Sequence, residues 1–237
     1  MSGAAAGLFG YLRLALLWTA IILSMPIGIL PLLFLAYFFP RHVRLIAVWW
    51  GRILLLVSGF RVTVKGAENI PAAPLIVASN HTSYFDIFIA LGYLPLNFSF
   101  VMKEELFKIP IFGKAVRTLG YFPISRRHPR SAVRSMNELA QFLRGGGTIF
   151  IYPEGTRNTT PEPLLPFKSG MERLAKQAQV AILPVAVLGG KATQKLPWRT
   201  NSFTVIIGKP LPPAAENLTA ATRQALERLL ATEIPPS

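Results

Sequence analysis

The feature that most constrains this fold is an apolar run from Leu14 to Pro40 in which no side chain carries a charge. As one continuous helix rising about 1.5 Å per residue, it would reach about 40 Å, more than the roughly 30 Å hydrocarbon core of a bilayer. Pro26, Gly28 and Pro31 fall near its middle, where proline removes a backbone donor and kinks or breaks a helix. The run therefore predicts a membrane-embedded segment, either one span or a hairpin of two shorter helices.

A second apolar stretch, from Leu45 to Phe60, has charges at its edge and near its centre. Arg44 precedes it, Arg52 interrupts it, and two adjacent tryptophans lie within it. Arginine heads can reach lipid phosphates while indoles lie at the membrane boundary, so this pattern favours an interfacial helix. We interpret residues 1–60 as a membrane-anchoring unit. An ordinary core helix over the second stretch is the alternative, since periodicity alone does not separate the two.

The charge balance agrees with a membrane surface. Lysine and arginine total 25 of the 237 residues against 11 aspartates and glutamates, a net charge of +14, yet 51% of the residues are hydrophobic. This composition excludes intrinsic disorder and favours anionic lipid over nucleic acid as a partner. There is no cysteine, which excludes disulfides, thiolate metal sites and cysteine nucleophiles. Because positive charge follows the apolar run, we expect residues 61–237 to face the cytoplasm, at the inner membrane in a bacterial cell.

Beyond Phe60, short β-rich runs alternate with helical patterns, which predicts an α/β domain over residues 61–237 with a largely parallel sheet flanked by helices. The predicted strands are Arg61–Lys65, Leu75–Ser79, Phe98–Met102, Tyr121–Ile124, Thr148–Tyr152, Ala181–Val187 and Phe203–Ile207. The predicted helices are Tyr84–Leu91, Ile111–Leu119, Arg130–Leu143, Gly170–Gln179 and Ala220–Ala231. In such sheets the chemistry lies in loops beyond the carboxyl ends of the strands.

The loop after the strand Leu75–Ser79 contains a histidine and an aspartate, His81 and Asp86. If His81 lies in the loop and Ser83 begins the next helix, Asp86 falls in the first helical turn and its carboxylate can reach the imidazole. A carboxylate on one ring nitrogen fixes the tautomer and leaves the other nitrogen to take a proton from an attacking hydroxyl. The same spacing also satisfies a capping box from Ser83 to Asp86, which is a purely structural role.

Two further strand-end segments carry charged side chains. One runs from Gly120 to Arg126, and the other, Tyr152–Arg157, reads Tyr-Pro-Glu-Gly-Thr-Arg. With the histidine–aspartate loop and a later Leu-Pro-Val, they resemble the four ordered blocks of the glycerolipid acyltransferase family. The likeness is closest to the 1-acyl-sn-glycerol-3-phosphate acyltransferases (lysophosphatidic acid acyltransferases), and it covers about residues 60–210.

The resemblance implies a reaction. A fatty acyl group passes from a thioester, acyl-CoA or acyl-ACP (acyl carrier protein), to the sn-2 hydroxyl of lysophosphatidic acid, which gives phosphatidic acid in phospholipid biosynthesis. The family match makes His81 the base and Asp86 its support. A thioester is already activated, so the reaction needs donors for the tetrahedral oxyanion but no metal, cofactor or covalent intermediate. We expect backbone N–H groups at the start of the helix after His81 to be such donors.

The same resemblance implies cations that bind the acceptor. Arg126 matches the arginine that contacts the acceptor phosphate, and Arg157 closes the Glu-Gly-Thr-Arg block. Lys103 follows another strand, in a Lys-Glu-Glu-Leu-Phe segment that also resembles the family. A solvated surface cation is the alternative for each of them, because charged residues are mostly exposed.

The rest of this block is assigned in the same way. Glu154 matches an acid that binds the acceptor, through a glycerol hydroxyl or by orienting Arg157, and its alternative is a structural ion pair with Arg157. Gly155 and Thr156 complete the substrate-binding block, Gly155 through its backbone conformation. Tyr152 stands where phenylalanine is common in the family, a change that keeps an aromatic ring.

Two other functions fit parts of the sequence. A basic membrane protein that binds anionic lipid or nucleic acid without chemistry would have the same composition, although no nucleic-acid fold signature accompanies the charge. The acyl chemistry could also use another acceptor, namely glycerol-3-phosphate, a lyso-ornithine lipid or another lysophospholipid. The motifs leave the acceptor, the acyl donor and the chain length open.

Overall fold

A computed structural model describes residues 42–125, 129–191 and 202–232 without gaps, together with residues 19, 30, 31, 33, 34, 38 and 39. Most of the apolar run from Leu14 to Pro40 lies outside these residues, and so does its predicted span or hairpin. Within the described residues, no helix combines the length and the hydropathy that crossing a bilayer requires.

In the described residues, helices and strands alternate as predicted. The helices are α1 (Val43–Val57), α2 (Phe85–Tyr93), α3 (Phe112–Thr118), α4 (Pro129–Arg144), α5 (Gly170–Ala178) and α6 (Leu218–Ala231). The strands are β1 (Arg61–Lys65), β2 (Leu75–Ser79), β3 (Ser99–Lys103), β4 (Phe122–Ile124), β5 (Ile149–Ile151), β6 (Ala181–Leu188) and β7 (Ser202–Ile207). The predicted strands and helices beyond Phe60 are all present, with bounds shifted by at most two residues.

These strands form one sheet in the order β1-β7-β6-β2-β5-β3-β4. The neighbouring pairs are parallel except β6 with β7, which confirms the predicted α/β fold with a largely parallel sheet. β2 lies near the centre, so the ends of β6 and β5 flank its carboxyl end. A parallel strand that is covered on both faces needs apolar or small side chains throughout, and every residue of β2 is buried.

Alternation along β2 directs its side chains into two cores on opposite faces of the sheet. Leu75 and Val77 belong to a core built with α1 and α2, whereas Ile76 and Ala78 belong to one built with α4 and α5. Helices therefore cover both faces and leave the loops at the strand ends as the place for a site.

Helix α1 packs onto this unit through one of its faces. Its buried stripe packs against α2. Gly51 permits the close approach, because a β-carbon there would come within 3.0 Å of the Phe88 carbonyl oxygen. Leu54 and Leu55 continue the stripe into the core above the sheet. The predicted boundary between residues 1–60 and residues 61–237 thus separates two segments that pack against each other.

The arginines of α1 bond to protein carbonyl groups. Arg44 donates to the backbone carbonyls of Leu96 and Phe98, and Nε of Arg52 donates to that of Gly92 at 2.6 Å. Burial lowers the pKa of Arg44, with a smaller opposing effect from Tyr121. The interfacial interpretation expects these guanidinium groups to contact lipid phosphates; in the structure each also bonds to a backbone carbonyl at or after the end of α2.

Asn80 fixes the end of β2 to β6. Its buried side-chain amide donates to the Val187 carbonyl at 2.9 Å and accepts from the Val187 N–H at 2.8 Å. These two hydrogen bonds fix the position of Asn80, the residue before His81, at the carboxyl end of β2.

We predict that Asn80→Ala lowers the free energy of unfolding by about 2–3 kcal/mol, because two buried backbone groups of Val187 lose their partner. Asn69→Ala is the matched control. It removes one hydrogen bond, to the Ile207 carbonyl, and should cost about 1 kcal/mol. Urea unfolding of both variants measures the difference, and equal losses would contradict the anchoring role of Asn80.

Candidate active site

The predicted site residues that the structure describes lie where β2, β5 and β3 end. His81 follows β2, the segment 152–157 follows β5, and Lys103 is the last residue of β3. These strands are parallel neighbours, so segments far apart in the sequence meet at one edge of the sheet.

His81 and Asp86 are joined by a direct hydrogen bond. Nδ1 of His81 lies 2.9 Å from Oδ2 of Asp86, whose side chain is fully buried. The same oxygen accepts from the backbone N–H of Thr82 at 2.7 Å and of Ser83 at 2.8 Å. A carboxylate that acts as acceptor keeps the imidazole proton on Nδ1 and leaves the lone pair on Nε2. His81 therefore has the tautomer that a general base requires.

The start of α2 explains this arrangement. Asp86 lies in the first turn, where backbone N–H groups have no partner within the helix. Its carboxylate accepts from the N–H groups of Thr82 and Ser83, which lie just before the helix, and orients His81 at the same time. Because the Thr82 and Ser83 amides donate to Asp86, they are not free to act as the oxyanion donors that the sequence predicts at this helix start.

The backbone of His81 is held from the loop after β5. Its N–H donates to Oε1 of Glu154 at 3.0 Å, and its carbonyl accepts from the N–H of Asn158 at 2.7 Å. The second oxygen of Glu154 accepts from the N–H of Leu165 at 2.8 Å. Burial raises the pKa of Glu154, while these two amide bonds oppose the rise. Glu154 and Asn158 together fix the height and rotation of the peptide that carries the imidazole.

The contacts of Glu154 differ from those that the sequence suggests. Its side chain is only 3% exposed, and both of its oxygens accept from backbone N–H groups. The salt bridges found among the described residues do not pair it with Arg157. Sequence reasoning missed Asn158, which is fully buried, although it directly follows the recognised block.

Tyr152 packs directly against the imidazole. The two rings are stacked, with centroids 4.0 Å apart and planes inclined by 17°. Phe150 and Phe100 pack on the other sides of the tyrosine ring. Burial raises the pKa of Tyr152 well above its ordinary value, and the charge of Asp86 adds to the rise. The phenol is therefore neutral and carries its proton at physiological pH.

A cavity of about 500 Å³ lies beside His81. Its apolar wall comes from α2, β3 and the residues after β3. That wall consists of Ile87, Phe100, Val101, Met102, Leu106 and Phe112. Its polar and charged lining consists of His81, Tyr84, Lys103, Tyr152, Thr156 and Arg157, with Gly155 between them. An apolar wall that ends in a few polar groups suits an acyl chain with a charged or polar head.

Most of the sequence-predicted substrate residues reach this cavity. Lys103, Gly155, Thr156 and Arg157 line it, and the Arg157 guanidinium lies 3.6 Å from the centroid of the Tyr84 ring. Gly155 has φ of 71°, a turn conformation that favours glycine. Arg126 lies outside the described residues. Within the described part of the chain, no group of three or more His, Cys, Asp or Glu side chains is placed to hold a metal ion.

Comparison with known proteins gives a consistent result. A family model described as Acyltransferase matches residues 61–188. The chain is 33% identical to a 1-acyl-sn-glycerol-3-phosphate acyltransferase of Pseudomonas aeruginosa over 72% of this chain and 65% of that protein. It is 34% identical to a chloroplastic one of Arabidopsis thaliana over 61% of this chain and 40% of that protein. The chain spans about half the length of the first curated relatives that it matches.

A solved structure is similar over nearly the whole chain. The crystal structure of the 1-acyl-sn-glycerophosphate acyltransferase PlsC from Thermotoga maritima superposes with a TM-score of 0.75 at 25% sequence identity. The match covers 99% of each chain.

We predict that Glu154→Gln lowers the free energy of unfolding by about 1–3 kcal/mol. The amide of glutamine offers one acceptor oxygen where the carboxylate offers two, so either the His81 or the Leu165 N–H becomes a buried, unpaired donor. Glu162→Gln, at an exposed side chain, is the matched control and should change the stability by less than about 0.5 kcal/mol. Thermal unfolding of both variants tests this, and equal stabilities would refute the anchoring role of Glu154.

Proposed function

This chain belongs to the acyltransferase family, and from that premise we propose that it acylates the sn-2 hydroxyl of 1-acyl-sn-glycerol-3-phosphate and so forms phosphatidic acid. The observation that carries the proposal is the His81–Asp86 pair: Nδ1 is turned to a buried carboxylate while the imidazole lines an apolar cavity bordered by cations. The names of the Pseudomonas and Thermotoga relatives support this choice of acceptor.

The reaction follows from the tautomer of His81. Nε2 takes the proton of the acceptor hydroxyl as its oxygen attacks the thioester carbonyl carbon. The carbonyl electron pair moves onto oxygen, and the positive imidazolium is stabilised by the carboxylate of Asp86. When the intermediate collapses, the carbon–sulfur bond breaks and the thiolate takes the proton back from Nε2. No covalent bond to the protein forms at any step.

The cations at the cavity place the acceptor. We assign Arg157 and Lys103 to its phosphate. We assign Arg126 to it as well, because Arg126 comes soon after β4 in the sequence and β4 pairs with β3. Arginine can bond two phosphate oxygens at once, whereas lysine acts as a compact charge. Thr156 adds a hydroxyl at the same rim. Glu154 acts behind the site, as a positioning residue for His81.

The donor is a fatty acyl thioester carried by coenzyme A or by acyl carrier protein. The apolar wall of the cavity suits the chain, and the net charge of +14 attracts both the phosphates of coenzyme A and an acidic carrier protein. The proposed chemistry uses no metal and no other cofactor.

The exposed face of α1 supports association with a membrane surface. Leu45, Trp49, Ile53, Leu56 and Val57 recur at helical spacing and keep 54–74% of their surface exposed. An exposed apolar stripe on a positively charged protein is typical of a helix that lies in the bilayer interface. We propose that this face and the apolar run before it hold the enzyme on the cytoplasmic side of the membrane, where its lipid acceptor is embedded.

We predict that His81→Ala lowers kcat by about a hundredfold or more, because the acceptor hydroxyl loses its base. The assay supplies acyl-CoA or acyl-ACP with lysophosphatidic acid to purified protein in detergent. His42→Ala, at a histidine beside α1 and outside the cavity lining, is the control and should retain activity. Equal activity of the two variants would contradict the mechanism. No product from the parent with lysophosphatidic acid, but product with another lysophospholipid, would contradict the acceptor only.

We predict that Leu45→Ser, Trp49→Ser and Ile53→Ser together reduce acylation of lysophosphatidic acid held in anionic vesicles by about tenfold or more. Each replaced side chain removes roughly 1.5–3 kcal/mol of burial in the membrane interface. Acylation of a short-chain acceptor dissolved in water should stay unchanged. Val133→Ser, at an exposed apolar side chain of α4, is the control. An equal loss on both acceptors would show a folding defect and refute the membrane role.

A further inference from the structure

We propose that Tyr84 is a positioning residue for the acceptor, because its ring holds the Arg157 guanidinium where the acceptor phosphate binds. The inference rests on the proposed acyl transfer, in which Arg157 contacts that phosphate, and it adds a residue to which the mechanism above gives no role. It starts from one contact: the guanidinium carbon of Arg157 lies over the Tyr84 ring, 3.6 Å from its centroid. Both side chains line the cavity beside His81.

The Arg157 side chain depends on this ring for its orientation. In the part of the chain that the structure describes, the salt bridges do not include Arg157, and its Nε has no hydrogen-bond partner. A long arginine side chain without such partners has many rotamers, and ordering it when a phosphate binds costs conformational entropy. The Tyr84 ring covers one face of the guanidinium and removes much of that freedom before the acceptor binds.

An aromatic ring orients a guanidinium group without neutralising it. A carboxylate would bond to two of the N–H groups and cancel the charge, whereas the face of a ring attracts the cation through its quadrupole. The positive charge of Arg157 therefore stays available to the oxygens of a phosphate monoester. Tyr84 is 55% exposed, so the pair lies at the solvent-accessible side of the cavity, where a ligand can reach it.

The same contact joins the loop that carries the base to the loop that carries the cation. Tyr84 lies between His81 and Asp86 and directly precedes α2, whereas Arg157 follows β5. The N–H of Asn158 donates to the His81 carbonyl, so the backbone beside Arg157 is bonded to the same loop. In lysophosphatidic acid only two carbons and an ester oxygen separate the sn-2 oxygen from the phosphorus, so the base and the cation must keep a constant separation. Asn158 fixes it through the backbone and Tyr84 through the side chain.

Tyr84→Leu and Tyr84→Phe test this role, because only phenylalanine keeps the ring. We expect Tyr84→Leu to raise the KM for lysophosphatidic acid about fivefold and to change kcat less than about twofold, since a phosphate contact stabilises bound substrate and transition state alike. Tyr84→Phe should match the parent. Tyr93→Leu is the matched control, because it removes a ring beside Arg52 outside the cavity lining and should leave this KM unchanged. An unchanged KM in Tyr84→Leu, or an equal rise in Tyr84→Phe, would overturn the proposal.

A double-mutant cycle with Arg157→Ala shows whether Tyr84 acts through the guanidinium. In the Arg157→Ala background, Tyr84→Leu should cause no further rise in the KM for the acceptor, whereas independent roles predict the same rise in both backgrounds. The melting temperature of Tyr84→Leu should stay within about 4 °C of the parent value, because the replaced side chain is exposed. An equal rise in the two backgrounds would show that Tyr84 acts in another way and would overturn the proposal.

A phosphate monoester without a hydroxyl separates this contact from the identity of the acceptor. Dodecyl phosphate carries a phosphate and a chain but nothing that can be acylated. Calorimetry should show it binding about fivefold more weakly to Tyr84→Leu than to the parent, and equally to the parent, Tyr84→Phe and Tyr93→Leu. This pattern would support the contact even if the parent failed to acylate lysophosphatidic acid. Equal binding to all four proteins would overturn the contact even if the parent formed phosphatidic acid.

Discussion

The site depends on one buried carboxylate oxygen. Oδ2 of Asp86 accepts from the imidazole of His81 and from two backbone N–H groups at the start of α2. These three hydrogen bonds fix the position of the buried carboxylate beside the ring. A shift of α2 by one residue would therefore break the hydrogen bonds of Asp86 to the preceding loop and to the base together. Local helix chemistry and catalysis impose the same register on this segment.

The central place of β2 adds a second constraint. Asn80 bonds to β6 on one side, and the peptide of His81 bonds to Glu154 and Asn158 from the loop after β5 on the other. The histidine is thus held from both neighbouring strands as well as by Asp86. A general base must be positioned within a few tenths of an ångström, and a strand end fixed on both sides meets that requirement better than a free loop. The recognised Glu-Gly-Thr-Arg block contributes to this framework with Glu154 and to the cavity with its last three residues.

The sequence predicted the elements well because each has a strong local signal. The buried β2 and the helical patterns between the strands predicted the element bounds to within two residues, and placing His81 in a loop before a helix that holds Asp86 predicted their pairing. Partners that depend on tertiary contacts were not predictable: Glu154 could equally have paired with Arg157, and only the chain path shows that it bonds to backbone N–H groups. Arg44 and Arg52 were ambiguous for the same reason, since a guanidinium bonds to lipid phosphate and to carbonyl oxygen alike.

Helix α1 links the exposed apolar face to this chemistry. The buried face of α1 packs against α2 at Gly51, and Asp86 lies in the first turn of α2. A helix with apolar side chains on both faces is unstable when one face is left in water, so the exposed face of α1 needs a partner. Because the buried face is fixed on α2, that partner has a fixed position relative to His81 and Asp86. If the partner is the bilayer, α2, the helix that carries Asp86, packs directly against the helix that lies in the interface.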